Sequence, residues 1–85
     1  MSLFEDVWTK RGLDSLGGLS AAAQAEVASL VGRICADPYG AGAVNAVDPD
    51  PLGRARVAVA GRVMAFYEVM EDEELVRVVR VEWRR

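Results

Sequence analysis

The sequence predicts an α+β fold in which a small antiparallel sheet carries a helical hairpin on one face, in the order β-α-α-β-β-β. Three observations support this class. Residues 20–37 form an alanine-rich stretch with one apolar stripe at helical spacing. From Arg54 onward the apolar residues recur with a period of two, as in half-buried strands. A Gly/Pro/Asp-rich loop over residues 39–53 separates the two halves, and helices followed by strands favour a sheet covered on one side.

The first half contains one weak strand pattern and two helix patterns. Residues 4–9, FEDVWT, predict a short strand. Thr9 is the expected N-cap of a short helix that ends near the glycines at 17 and 18, because glycine is common at helix C-termini. Ser20 is the expected N-cap of the second helix, which Pro38 ends. The apolar stripe of this helix comprises Val27, Leu30, Val31 and Ile34.

Three strand patterns follow, RARVAVAG, RVMAFYEVM and ELVRVVRVEWRR. In the second of them, alternation predicts an inward apolar face of Val63, Ala65, Tyr67 and Val69. In the third, Val79, Val81 and Trp83 are expected to point inward, and Arg77 breaks the alternation. The opposite, polar face of the sheet is expected to carry Arg54, Arg56, Arg80 and Arg84, with Met64, Phe66, Glu68 and Glu82 among them.

Length and composition limit the function. The chain has 85 residues, which predicts a single domain over residues 1–85 with one core and no deep, enclosed site. The absence of histidine excludes Ser-His-Asp and Cys-His catalysis, and we expect no metal and no cofactor. Cys35 is the only cysteine and is expected to be a structural core residue. No membrane-span or signal-peptide pattern is visible, so we expect a cytoplasmic protein.

Charge is distributed unevenly along the chain. The net charge is −3, but residues 51–85 hold seven arginines and six acids, which gives +1. Four of those acids are consecutive, at positions 71–74. A locally basic surface is therefore expected on the polar sheet face. Two interpretations of it stay open: a solvated face with cross-strand Arg–Glu pairs, or a surface that binds an anion such as RNA phosphate.

These residues together resemble the RelE/ParE superfamily, the toxins of type II toxin–antitoxin systems. The resemblance covers the whole chain and is carried by VWTKRGLDSLGGLS, by ADP after the second helix, by RARV, by GR followed by YEV, and by the final VEWRR. It implies the fold predicted above and an antitoxin partner. For the RelE branch it also implies metal-free cleavage of messenger RNA in the ribosomal A site, by attack of the ribose 2′-hydroxyl on the neighbouring phosphate.

The resemblance also implies residue roles. The paired basic positions of the first of the three strands match Arg54 and Arg56, which would grip the phosphate, and Arg84 would stabilise the transition state. Further RNA contacts would come from Arg62, Arg80, Arg85 and Phe66. Glu68 and Glu82 are the carboxylates that could accept a proton, and the alternative is that they pair with the arginines.

A second class of function stays open on the same fold, a non-catalytic binding protein. It would be a ParE-like gyrase inhibitor or an autorepressor subunit that works with its antitoxin. Arginine stands where the family often has lysine, and arginine cannot act as a base. The paired arginines of the first of the three strands favour the RelE class, and two features favour the second class. The family's C-terminal tyrosine has no counterpart before Arg85, and the pI of about 4.8 is low for a protein that docks on ribosomal RNA.

Overall fold

The computed structural model describes residues 3–46, 50 and 53–84, which form two helices and one sheet. The helices are α1 (Lys10–Gly17) and α2 (Ala21–Ala36). The strands are β1 (Glu5–Trp8), β2 (Ala43–Val44), β3 (Ala55–Ala60), β4 (Val63–Met70) and β5 (Leu75–Trp83). The five strands lie in the order β1-β5-β4-β3-β2. The predicted α+β class and the helical pair are confirmed.

The sheet is mixed, so the prediction of an antiparallel sheet is corrected at one edge. β1 pairs with β5 in parallel, whereas the other three pairings are antiparallel. Parallel and antiparallel strands share the same side-chain alternation, so the sequence pattern does not distinguish them. The order also gains one strand, β2, inside the predicted loop. Its two residues are too few to show a period.

Both helices begin at the predicted caps. The Thr9 hydroxyl oxygen accepts a hydrogen bond from the Gly12 N–H at 3.0 Å, and the Ser20 hydroxyl oxygen accepts one from the Ala23 N–H at 3.1 Å. Each bond satisfies a backbone donor that has no partner inside its helix. Helix α1 ends at Gly17, as predicted, and α2 ends two residues before Pro38. No helix in the described ranges has the length and hydropathy needed to cross a bilayer.

The core lies between α2 and the sheet. The predicted stripe of α2 is buried, with Ile34 at 0% exposure, and it packs against the inward residues of β4. Tyr67 is the largest fully buried side chain. Cys35 is buried beside the stripe, and burial together with Asp6 raises the pKa of its thiol. The thiolate is therefore disfavoured at neutral pH, which makes Cys35 a poor nucleophile.

Candidate functional site

Helix α2 covers one face of the sheet, and we call the opposite one the open face. The strand register defines it, because residues directly opposite each other point to the same side. Val57 of β3 lies opposite Phe66 of β4, which lies opposite Arg80 of β5. The open face comprises Val57, Val59, Met64, Phe66, Glu68, Arg77, Arg80 and Glu82.

The placement predicted for Arg56 of β3 and for Arg54, which directly precedes β3, was wrong. Arg56 lies opposite Tyr67, whose ring is in the core, and the Arg54 carbonyl accepts a hydrogen bond from the N–H of Val69, another core residue. Both arginines therefore belong to the helix side of the sheet, at its rim. The inward positions farther along β3 are alanines, whereas its valines face outward. Hydropathy alone favours the opposite assignment, because valine is the more apolar residue.

Arg56 holds a loop in place. Its Nη2 donates to the carbonyl oxygens of Tyr39 and Gly42 at 3.0 and 2.9 Å, and its guanidinium carbon lies 5.2 Å from the centroid of the Tyr39 ring. The same loop receives a hydrogen bond from the Tyr67 hydroxyl, which donates to the Pro38 carbonyl at 2.6 Å. Arg56 therefore fixes residues 38–42 against the sheet, and these contacts engage the guanidinium that was predicted to grip phosphate.

Arg54 is engaged by a carboxylate. Its Nε lies 2.7 Å from Asp50 Oδ2, and the same oxygen accepts a hydrogen bond from the Arg54 backbone N–H at 3.0 Å. This ion pair partly neutralises the charge that was predicted to bind phosphate. The catalytic roles of Arg54 and Arg56 stay predictions, and the geometry gives both residues structural contacts.

A bulge in β5 explains the position of Arg77. Phe66 lies opposite Arg80 and Tyr67 opposite Val78, so Val79 is an extra residue in β5. Val78 is completely buried, whereas Val79 is half-buried. The predicted inward position of Val79 was therefore wrong, and that of Val81 is confirmed. Arg77 points to the open face, where its Nε donates to Glu68 Oε1 at 2.7 Å.

The open face contains a cavity of about 370 Å³. Arg80 lies at its wall with its guanidinium carbon 4.1 Å from the centroid of the Phe66 ring, and its Nε is 3.3 Å from Glu82 Oε1. Helix α1 contributes Arg11, an exposed side chain that forms no ion pair within residues 3–46, 50 and 53–84. The other residues that line the cavity are Asn45, Ala55, Arg56, Tyr67, Glu68 and Val79. The lining thus combines three arginines, of which Arg56 is engaged by loop carbonyls, with two aromatic residues and one carboxylate.

Arg11 was missed in the sequence analysis. The residue lies in the first turn of a short helix, and nothing in its local pattern separates it from a solvated lysine or arginine. The contact that brings it to the cavity is tertiary: the Thr9 N–H donates to the Val78 carbonyl at 3.1 Å, which anchors the start of α1 beside the bulge. Only the packing of α1 against β5 shows that Arg11 lies at the cavity.

Arg62 and Arg84 lie at a different end of the sheet. Gly61 and Arg62 form the two-residue turn between β3 and β4, with Gly61 at a φ of 58°. The Arg84 N–H donates to the Arg62 carbonyl at 2.6 Å. Four residues of strand separate Arg56 from this turn, which is about 13 Å. The predicted trio of Arg54, Arg56 and Arg84 is therefore not assembled, and Arg85 lies outside the described residues.

Both glutamates of the open face contact arginines. Glu68 accepts from Arg77, and Glu82 lies beside Arg80. These contacts match the charge-partner alternative for the two residues. Their acid–base role stays a prediction.

Helices packed on one face of a five-stranded mixed sheet, with the other face open, define the RelE toxin fold. The structure superposes on the toxin–antitoxin complex RelBE2 of Mycobacterium tuberculosis with a TM-score of 0.85 at 19% identity, over 98% of this chain and 100% of that one. It superposes on the isolated Escherichia coli RelE toxin with a TM-score of 0.76 at 13% identity, over 96% of this chain and 85% of that chain. For the archaeal RelE–RelB complex of Pyrococcus horikoshii the TM-score is 0.71 at 13% identity, over 98% of this chain and 97% of that chain.

Sequence comparison adds nothing to this likeness. No protein-family model matches the chain, and no curated protein matches it significantly. At identities of 13% to 19% the similarity establishes the fold, and activity has to be argued from the site.

Tyr67 makes the stability of the fold sensitive to alkaline pH. Burial raises the pKa of Tyr67 above its ordinary value, so the stabilisation is complete below about pH 10 and is lost as the pH rises through the folded-state pKa. We expect the free energy of unfolding, measured with urea, to fall as the pH rises above about 10. The fall should be smaller in Tyr67→Phe than in Tyr39→Phe. The pKa of Tyr39 is also raised, but mainly by a hydrogen bond to Glu71 at an exposed position, where solvent screens the contact. An equal fall in both variants would contradict this assignment.

Proposed function

We propose that this protein is the toxin component of a type II toxin–antitoxin pair and that it inhibits translation in the cytoplasm by contacting messenger RNA at the ribosome. The observation that carries the proposal is the full-length likeness to RelE toxins. Two of the similar structures described above are complexes with an antitoxin, which supports a cognate antitoxin as the partner of this chain.

The cavity of the open face is the proposed RNA contact. Its volume of about 370 Å³ is within the usual range for small-ligand sites, and Arg11 and Arg80 supply positive charge at its wall. The Arg80 guanidinium is stacked on Phe66, and such a flat cationic surface can stack an unpaired base while the second arginine holds a phosphate. Single-stranded RNA is therefore the proposed substrate class.

Cleavage at this site would need no metal. In the proposed reaction the ribose 2′-oxygen attacks the adjacent phosphorus, the bond from phosphorus to the 5′-oxygen of the next nucleotide breaks, and a 2′,3′-cyclic phosphate forms. Arginines stabilise the charge that develops, and the departing 5′-oxygen takes a proton from water. Arginine stays protonated at neutral pH, so the proton of the 2′-hydroxyl would pass to Glu68 or Glu82. Arg62 and Arg84 are proposed as a second group of RNA contacts at the hairpin end, and the RNA contact of Arg85 stays a prediction from the sequence. Arg54 and Arg56 would reach RNA only after release from Asp50 and from the loop at residues 38–42.

One observation favours the second candidate, a non-catalytic toxin or repressor subunit. Arg54 and Arg56, the residues proposed to grip the phosphate, are engaged by Asp50 and by two loop carbonyls. With both arginines held in these contacts on the helix side of the sheet, the open face would bind a macromolecule without cutting RNA. Gyrase and an antitoxin-dependent DNA complex are the targets that this alternative proposes.

Induction in a bacterial host without antitoxin tests the first function. We expect growth arrest and new messenger RNA ends at A-site positions. An Arg11→Ala/Arg80→Ala variant should cut RNA roughly 10²-fold more slowly or worse, the loss of rate found when an enzyme loses a preorganised group that stabilises charge in the transition state. Lys10→Ala is the matched control and should still cut, because Lys10 precedes Arg11 on α1 but does not line the cavity.

The outcomes separate the candidates. Arrest with cuts that disappear in the double variant supports the nuclease. Arrest of unchanged severity without any cut sites would instead favour the non-catalytic candidate. No arrest from soluble, folded protein would contradict both.

A further inference from the structure

Helix α1 lies against the bulge of β5, where it takes the place of a neighbouring strand. The pairing of β1 with β5 ends at Trp8 opposite Val78. Within the described ranges, the part of β5 that follows Val78 therefore has a strand partner only on its β4 side. A bulge also leaves backbone groups without their usual ladder partners. Side chains of α1 and its cap are the groups placed to pair with this part of β5.

Two hydroxyl groups make these hydrogen bonds, one on each side of the bulge. The Thr9 hydroxyl donates to the carbonyl oxygens of Val78 and Val79 at 3.4 and 3.3 Å. The Ser15 hydroxyl oxygen accepts from the Val81 N–H at 3.0 Å. The half-buried Ser15 side chain is itself held in place, because its hydroxyl donates to a carbonyl one turn earlier in α1 at 2.8 Å.

The bulge decides which residues of β5 reach the open face. Arg77 and Arg80 both lie on the open face. Val78 and Val81 are both buried. The members of each pair are three positions apart, and successive residues of a regular strand point to opposite faces, so a regular strand would turn one arginine toward the core and one valine outward. The extra residue at Val79 removes this conflict.

The same contacts place Arg11. Thr9 accepts from the Gly12 N–H at the start of α1, and a Cβ at Gly12 would lie 2.6 Å from the Val78 carbonyl oxygen, so this part of the helix is in close contact with β5. Arg11 immediately precedes Gly12 and lines the cavity together with Arg80. The packing of α1 on the bulge therefore brings both arginines to one site.

We infer that Ser15 is a positioning residue: by holding the backbone of β5 just beyond the bulge, it keeps Arg80 stacked on Phe66 at the cavity. The inference rests on the proposed function for the RNA ligand alone, because the position of Arg80 is measurable without RNA. Thr9 contributes to the same contact, but it also caps α1. Ser15 is therefore the residue whose effect on the bulge can be tested separately.

The Nε proton of Arg80 reports the stacking directly. The Arg80 guanidinium carbon lies over the Phe66 ring, 4.1 Å from its centroid, so the ring current should shift this proton upfield in NMR spectra of the full chain. Phe66→Leu gives the reference position without a ring. In Ser15→Ala, which should stay folded because alanine favours helix, we expect the proton to move toward this reference. Ser15→Thr keeps a hydroxyl and should retain the shift, as should the matched control Ser29→Ala at an exposed position of α2.

Deletion of Val79 tests whether Ser15 acts through the bulge. Without Val79, Arg77 and Arg80 would be two positions apart, so a regular strand would place both on the open face opposite their present partners in β4. In this background Ser15→Ala should have no further effect on the Arg80 Nε proton.

Displacement of Arg80 should also weaken RNA binding. The probe is a 2′-O-methyl adenosine trinucleotide, which cannot be cut by attack of its own 2′-oxygen. Its affinity should fall about fivefold or more in Ser15→Ala, the lower end of the effect of losing a stacking partner for a base, and Ser15→Thr should restore it.

Three outcomes would overturn the inference. The first is an Arg80 Nε proton at the same position in the wild type and in Phe66→Leu. The second is a folded, less stable Ser15→Ala variant that keeps the upfield shift, which would leave Ser15 a structural role alone. The third is an equal displacement with and without Val79. A wild-type chain that does not bind the trinucleotide would contradict the proposed RNA contact, and the NMR results would still decide the role of Ser15.

Discussion

Replacing Tyr67 by alanine is expected to lower the free energy of unfolding by roughly 3–5 kcal/mol, the range for removing a large buried aromatic side chain. Tyr67 is 1% exposed and contributes its ring to the core between α2 and β4. For a chain of this size the total stability is roughly 4–13 kcal/mol. Loss of this side chain would therefore remove a large share of it.

Two further variants separate the parts of this effect. Tyr67→Phe keeps the ring and removes only the hydroxyl that donates to the Pro38 carbonyl, so about 1 kcal/mol should be lost. Tyr39→Ala removes a half-exposed tyrosine and should cost less than about 1 kcal/mol. The measurement is urea unfolding of the three variants at neutral pH. Equal losses in the Tyr67→Ala and Tyr39→Ala variants would show that the core is not organised around Tyr67.

Substituting Gly12 by alanine should destabilise the protein by about 1–3 kcal/mol, although alanine is the better helix former. A Cβ at this position would lie 2.6 Å from the Val78 carbonyl oxygen and 3.3 Å from the Trp8 ring. The oxygen belongs to the backbone of the central part of β5, so it cannot move away without disturbing the sheet. Helix α1 would have to shift from the strand that it packs against.

Gly17→Ala is the matched control in the same helix. A Cβ at Gly17 has no neighbour within 4 Å, so alanine there should be neutral or should stabilise by up to about 1 kcal/mol. Thermal unfolding of both variants would therefore give opposite signs. A stabilising Gly12→Ala would contradict the close approach of α1 to β5.

The sequence was most informative where one face of an element is apolar and the other polar. In α2 the stripe at Val27, Leu30, Val31 and Ile34 is buried as predicted, and in β4 alternate residues from Val63 to Val69 are buried as predicted. Local hydrogen-bonding chemistry also gave both helix caps, Thr9 and Ser20. These features depend on neighbours in sequence, and a local pattern is sufficient to predict them.

The site was predicted less well, because its geometry depends on contacts between distant residues. In β3 both faces carry apolar residues, so the parity of Arg54 and Arg56 could not be assigned from the pattern. In β5 the bulge at Val79 shifts the alternation by one residue, and only pairing with β4 shows where it lies. Arg11 reaches the cavity through tertiary packing alone. The strand register, the bulge in β5 and the packing of α1 therefore decide which arginines lie together at the cavity.

The parallel pairing of β1 with β5 has a consequence for how the protein folds during synthesis. Trp8 is the last residue of β1, and Leu75 is the first residue of the strand that pairs with it, so the 66 residues between them must be synthesised first. At about 5–20 residues per second this takes about 3–13 seconds. During the part of that interval after α2 is synthesised and before β3 and β4 follow, the apolar side of α2 has no strand to cover it. A binding protein already present at the site of translation would meet this surface before the toxin fold is complete.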